Sequence, residues 1–325
     1  MKVKEARFDV TIVGDCNLDL VLYGLPDSLP HERELLANGM AVQTGGSAAI
    51  TACNLAALGN SVGFVCAKAN DSFGALCVEP LHAAGVDTSA AVQIAEGATG
   101  VTVLLQHEVS RRMLTYPGVT HRLRRADLNM PYLCRSRHFH MASYYLQQGM
   151  TKDIPQLFEE IKCAGLTISL DPNDDPDDSW DPAILDAIRY LDVFLPNVRE
   201  ACRVTGERDA EKAIAILRDM VPLLVVKRGA QGASAYAGTL SWEVPAYEVQ
   251  VVDAIGAGDS FNAGFLHGYL QEWPIDKCLR FGALTGAWST TSAGGTGAFA
   301  GPEKLKALHQ KWKDSEHDLV ATPLH

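Results

Sequence analysis

Short apolar, β-branched runs alternate with helical stretches through most of this chain, and that alternation restricts it to a mainly parallel sheet with helices on both faces. The spacing predicts strands at Phe8–Val13, Val62–Ala67, Thr167–Leu170, Val193–Leu195, Leu223–Val226 and Val249–Val252. It predicts helices at Thr44–Leu58, Phe73–Ala84 (closed by Gly85), Ala210–Met220, Asp259–Leu270 and the Ala/Gly-rich Cys278–Thr291. The alternation breaks at Val101–Gln106 and Arg112–Tyr116, which read as a hairpin with Leu18–Tyr23 and Met40–Gln43 available to pair with it. We therefore expect an α/β core from residues 1–16, 46–98 and 121–325, and a β lid from residues 17–45 and 99–120 over the carboxyl edge of the sheet.

Composition excludes several classes. With 47% hydrophobic and 21% charged residues, the 325-residue chain has the make-up of an ordinary globular protein. A net charge of −11 argues against a nucleic-acid partner. It does not argue against a nucleotide, because a local nest of backbone N–H groups holds phosphate even in an acidic protein. The eight cysteines form no C-x-x-C pair and read as buried thiols of a reducing compartment. The N-terminal residues lack the apolar stretch and cleavage site of a signal peptide, and no apolar run reaches membrane-spanning length, so a cytoplasmic chain without a membrane partner is expected.

The segment Val251-Val252-Asp253-Ala254-Ile255-Gly256-Ala257-Gly258-Asp259-Ser260-Phe261-Asn262-Ala263-Gly264 carries the chemistry. An apolar run enters a Gly-Ala-Gly turn and a helix starts at once. Glycines let successive N–H groups converge, and the helix start adds the positive end of its dipole, which together make a phosphate site. Asp259 at the edge of the turn reads either as a helix cap or as the carboxylate that takes a proton from an attacking hydroxyl. No G-K-[ST] follows the glycines and Asn262 stands where G-x-G-x-x-G would need its third glycine, so neither a Walker A loop nor a dinucleotide fingerprint is present. The first strand, ending Gly14-Asp15-Cys16-Asn17, also lacks the glycines of an NAD-dependent Rossmann enzyme.

Asp253–Gly264 resembles the C-terminal signature of the ribokinase-like (PfkB) carbohydrate kinases. The resemblance continues in order along the chain. It takes in Gly14-Asp15-x-Asn17-x-Asp19, Gly45-Gly46-Ser47-Ala48-Ala49 with Leu58-Gly59, and Asn70-Asp71-x-Phe73-Gly74 with Gly85-Val86-Asp87-Thr88. Asn197-Val198-Arg199-Glu200 and Val226-Lys227-x-Gly229-x-x-Gly232 follow, so that it runs from about Phe8 to Gly295. It implies a ribokinase-like three-layer α/β fold with a β lid, ATP and Mg²⁺ as cofactors, and transfer of phosphate to a hydroxyl of a small sugar. Asp259 would be the general base, and Gly256, Ala257 and Gly258, with the backbone from Ala254, the anion hole. Asn17, Asp19, Gly45, Gly46, Ser47 and Asn54 would face the sugar. Lys227, Gly229, Gly232, Asn197 and Ala254 would lie along the nucleotide. Asn197 and Glu200 would organise Mg²⁺ through water, and Asp253 with the carbonyl of Ile255 would serve a monovalent cation such as K⁺.

The chain departs from the family at three positions. Ile50 replaces the usual sugar-binding Asn, with Asn54 one turn later; Ala254 replaces a common Thr; and Ser47 replaces the Lys of typical ribokinases. A sugar acid or nucleoside therefore stands beside a neutral sugar as the acceptor, and a catalytically silent binding protein is the rival class. Arg111 and Arg112, in the expected lid, are the best placed of an arginine cluster to meet an anionic substrate, and Arg112 is taken as the candidate. His138 and His140 alternate along an apparent strand and read as structural. Asp171 and Asn173 end a strand at the edge where α/β proteins build sites. An apolar lid also needs covering, which predicts a homodimer formed lid against lid.

Overall fold

The computed structural model describes residues 6–107 and 111–321. Its main sheet has eight strands in the order Leu240–Val244, Ala233–Ala237, Leu223–Lys227, Val193–Phe194, Thr167–Asp171, Ser136–Ala142, Phe8–Val13 and Val62–Val65. From Leu223–Lys227 to Val62–Val65 every neighbouring pair is parallel; the first two strands complete an antiparallel hairpin edge. Successive residues of a strand face opposite layers. Ile12 enters a cluster with Phe64, Phe265 and Phe281 on one side. Val13 enters a cluster with Phe139, Phe158 and Phe194 on the other. The expected α/β architecture follows from these near-continuous apolar strands, buried on both faces.

One predicted strand is absent. Val249–Val252 joins no sheet, and Val251 and Val252 are each 62% exposed. Their β-branched character finds no ladder, because the hairpin Ala233–Val244 already occupies the edge beside Leu223–Lys227. The segment is fastened instead by the N–H groups of Val252 and Asp253, which both donate to the Thr290 carbonyl at 2.7 and 3.1 Å.

A separate four-stranded sheet runs Gly39–Gly45, Asn17–Tyr23, Val101–Gln106, Arg111–Tyr116. Its register decides what each face carries. Asp19, opposite Gln43 and Thr102, shares a face with Val21 and Leu104, which pack on Ile255 of the core. The other face carries Met40, Val42, Leu114 and Tyr116, all exposed. Arg112 pairs with Leu105 and therefore lies on this outer face, where its guanidinium donates to the Asp27 carbonyl at 3.3 Å. The expectation that Arg112 meets the substrate is corrected: one step of register turns it away from Asp19.

The strand Ser136–Ala142 carries two fully buried histidines through the centre of the sheet. The His138 ring reaches Thr167 Oγ1 and Ser169 Oγ, both at 2.7 Å, and His140 Nδ1 reaches the same Ser169 Oγ at 2.7 Å. No cluster of metal-ligating side chains occurs among the described residues. Burial pushes both imidazoles down from 6.5 to about 3, so they are neutral. The stability this neutrality protects is intact above the unfolded value of 6.5 and is lost as pH falls toward 3, at about 1.4 kcal/mol per pH unit for each histidine. His140→Gln is expected to flatten the decline of the urea midpoint between about pH 6.5 and 5. An unchanged decline would mean that His140 accepts its proton without unfolding the chain.

Candidate active site

The Gly-Ala-Gly turn lies where the carboxyl edge of the main sheet meets the second sheet. Buried Asp253 anchors it: Oδ1 accepts from the Ile255 N–H at 2.9 Å and Oδ2 from the Gly294 N–H at 3.1 Å. Gly256 then takes φ 71°, and a Cβ there would stand 2.5 Å from the Gly295 Cα. Only glycine fits on both counts. The helix Ala257–Leu270 begins at the next residue. The N–H groups of its first turn, at Gly258 and Asp259, have no main-chain acceptor among the described residues, which leaves them and the helix dipole for an anion.

Asp259 is half-buried at the edge of this turn and accepts a hydrogen bond from the Ser47 hydroxyl. Burial pushes its carboxyl up to about 6; the Ser47 bond and the Lys227 charge pull it down, and the charges of Asp171 and Asp15 push it up. Ser47 opens the helix Ser47–Ala57, whose first N–H groups, at Ser47 and Ala48, donate to the Asp15 carboxylate at 3.1 and 3.0 Å. Asp15 therefore holds the helix that presents Ser47 to Asp259. It was not singled out in the sequence, because its capping partners lie some thirty residues away.

Asp19 faces this cleft from the second sheet. It sits beside Gly45, where any Cβ would collide with its carboxylate. Asn17 Nδ2 donates to Asp19 Oδ1 and to Thr102 Oγ1, both at 3.0 Å. Burial first, then the charges of Asp15 and Asp259, raise the Asp19 carboxyl to about 7. Gln43, directly across the ladder, reaches the core so closely that a Cβ on Gly294 would collide with its amide. Gln43 Nε2 is shielded from solvent and has no acceptor among the described residues. The sequence marked Gln43 only as a strand residue; its facing Asp19 depends on the pairing register.

Asn54 does not face the cleft. Fully buried, it donates to Ser260 Oγ and the Gly295 carbonyl, both at 2.9 Å, and so ties its helix to the one that carries Asp259. The neighbouring Ile50 packs against Gly256 and Gly295, filling the position where the family's amide would stand.

Opposite Asp19, Lys227 Nζ donates to Asp171 Oδ2 at 2.5 Å, and Asn262 Nδ2 donates to the same oxygen. A Cβ on Gly258 would sit 3.7 Å from the Lys227 ammonium, so this cation lies beside the turn. Asn197 and Glu200 form a reciprocal cap: Glu200 Oε2 accepts from the Asn197 N–H at 2.8 Å and Oε1 from its side-chain amide at 2.5 Å. Burial, reinforced by the Asp171 charge, pushes the Glu200 carboxyl up to about 7. With both oxygens engaged, Glu200 does not suit direct ligation of Mg²⁺. Asp253 accepts one main-chain bond at each carboxylate oxygen. Gly232 (φ 96°) makes the turn into the edge hairpin, where a Cβ would collide with the Val244 carbonyl. Gly229 has open space around its Cα, and Ala254 is exposed at the mouth of the turn.

The chain is similar to known proteins. The chain is 27% identical over 304 residues to the 2-dehydro-3-deoxygluconokinase of Bacillus subtilis, covering 87% of this chain and 93% of that protein. It is 28% identical over 277 residues to fructokinase-2 of Zea mays, covering 79% and 82% of the two chains. Among solved structures, the Arabidopsis thaliana ribokinase complexed with ribose and ATP superposes with a TM-score of 0.76 at 22% identity, covering 93% of this chain and 98% of that one. The description of pfkB family carbohydrate kinases matches residues 7–300, nearly the whole chain, and the protein belongs to that family.

Proposed function

We propose that the protein transfers the γ-phosphate of ATP to a hydroxyl of a small uncharged sugar, with Asp259 as general base. The observation that carries this reading is the juxtaposition of a raised, half-buried carboxylate with free first-turn amides and a cation on the far side of the same turn. Asp259, ionised above about pH 6, accepts the proton of the attacking hydroxyl while the Ser47 hydroxyl fixes its orientation. The amides of Gly258 and Asp259 hold the transferring phosphoryl group where charge spreads over its oxygens. Asp19, Asn17 and Gln43 bind the sugar's other hydroxyls. Mg²⁺, when bound, neutralises charge on the nucleotide's phosphates, and its ligands are chiefly those phosphates and water.

An uncharged acceptor is favoured by the field at Asp19. The charges that bear on it most are those of Asp15, Asp259 and Asp253, all negative, and a carboxylate or phosphate on the acceptor would be repelled by them. The family includes kinases of a sugar acid and of fructose by name, so the acceptor is a matter for experiment. A coupled ADP-release screen over pentoses, ketohexoses, sugar acids, phosphosugars and nucleosides is expected to find turnover with a pentose or ketohexose. Preference for a sugar acid would overturn the uncharged acceptor. Asp259→Asn is expected to lower turnover by on the order of 10²–10⁴-fold while ATP still binds; a variant that keeps a tenth of the activity, on that scale, would place the base elsewhere.

The acid limb of kcat is expected near pH 6, the raised value of Asp259. Ser47→Ala removes a bond to the ionised form, so the limb moves to higher pH; a limb that stays or falls would detach Ser47 from the base. We also propose that the exposed face of the second sheet, with Met40, Val42, Leu114 and Tyr116, pairs with a second copy, so that the sheet acts as a lid within a dimer. Light scattering at micromolar concentration is expected to give a dimer that Leu114→Asp converts to a monomer. A monomeric wild type would remove the proposal.

A further inference from the structure

Asp171 ends the strand Thr167–Asp171 and is 0% exposed. Lys227 ends the strand Leu223–Lys227, and only the two-residue strand Val193–Phe194 separates them. Beyond Phe194 the chain leaves through Pro196 to start a helix, and the Lys227 N–H follows it by donating to the Pro196 carbonyl at 3.0 Å. The short middle strand lets the lysine reach across to the carboxylate, and the two meet at 2.5 Å with side-chain exposures of 11% and 0%.

Such a buried pair adds little net stability over apolar residues of the same volume, because desolvating both charges offsets most of their attraction. Its arrangement has direction. Asp171 Oδ2 takes one of the three ammonium hydrogens, and Asp171 is the one protein acceptor of this ammonium among the described residues. The ammonium lies beside the turn, where a Cβ on Gly258 would be 3.7 Å from its nitrogen, and two of its hydrogens are left for a ligand there. Asn262 stands three residues after Asp259 on the same helix and donates to the same Asp171 oxygen. It thereby couples the carboxylate that holds the lysine to the helix that forms the anion turn.

We infer that Asp171 is a positioning residue, which with Asn262 aims the Lys227 ammonium at the phosphoryl group in transfer over Gly258. The inference rests on the kinase reading. A point cation fixed before the reaction stabilises the negative charge spreading over the phosphoryl oxygens without having to reorganise. Asp171 touches neither substrate; it acts through the lysine.

Two measurements test this. The first is a double-mutant cycle on ATP–Mg²⁺ turnover with D-ribose and D-fructose. Asp171→Asn, nearly isosteric, is expected to lower kcat on the order of 10–100-fold with little change in the KM for ATP, the scale of a misaimed catalytic group. In a Lys227→Met background the same change should cost nothing further, and the double variant, which leaves no buried charge unpaired, also serves as the folded reference. Losses that add would overturn the inference. The second is calorimetric binding of Mg–ADP with and without aluminium fluoride, a mimic of the phosphoryl group in flight. Wild type should bind the fluoride complex more tightly than ADP, and Asp171→Asn should lose that increment while keeping its affinity for ADP. The pH profile gives a further sign. Asp259 is faced by Ser47, Asp15, Asp171 and Lys227, and it in turn perturbs Asp19. Asp171→Asn should therefore shift the acid limb down and Lys227→Met shift it up. Wild-type turnover untouched by Asp171→Asn removes this inference alone; a wild type that binds the fluoride complex no better than ADP removes the kinase reading with it.

Discussion

The chemistry of this protein depends on a place where no side chain fits. At Gly256 the backbone is left-handed and the Gly295 Cα stands 2.5 Å from where a Cβ would be. The chain therefore turns within one residue and a helix begins with its amides pointing outward. Asp253 holds both sides of that contact through the N–H groups of Ile255 and Gly294. Without the close approach the helix would start later or at another angle. Asp259 would then lose its register with Ser47, and Gly258 its register with Lys227.

Around this turn the protein concentrates negative charge. Asp15, Asp19, Asp171, Asp253 and Asp259 are gathered near one edge of the sheet, and burial with mutual repulsion raises Asp19 to about 7 and Asp259 to about 6. Each carboxylate is managed differently: Asp15 by two helix amides, Asp253 by two loop amides, Asp171 by Lys227 and Asn262. Asp259 and Asp19 receive the least, a hydroxyl and an amide respectively. Those two face the cleft, where incomplete compensation leaves a carboxylate able to accept a proton or a substrate's hydrogen bond.

What could be read in the sequence was local. The Gly-Ala-Gly-Asp turn, the apolar parallel strands and the glycines beside Asp19 are each encoded within a few residues, and the family resemblance drew on those segments. Face and partner were not local. Arg112 was turned outward by one step of strand register, which nothing in the run Arg111–Tyr116 specifies. Asn54 had the spacing of a site residue, but Ser260 and Gly295, more than two hundred positions away, satisfy it inside the core. His138 and His140 read as structural from the sequence, but their partners, Thr167 and Ser169 of the next strand, could not be named from it. Val249–Val252 had strand propensity, but the hairpin Ala233–Val244 already held the place beside Leu223–Lys227.

The two halves of the cleft are linked through Ile255. Its main chain belongs to the phosphate turn, where its N–H is held by Asp253. Its side chain packs between Val21 and Leu104 on the inner face of the second sheet. Val21 lies two residues along the strand from Asp19, so that Asp19 and the amides of the turn share one apolar contact. A small apolar cluster at this point fixes Asp19 and the turn against each other, so their spacing is set by one contact and not by either element alone.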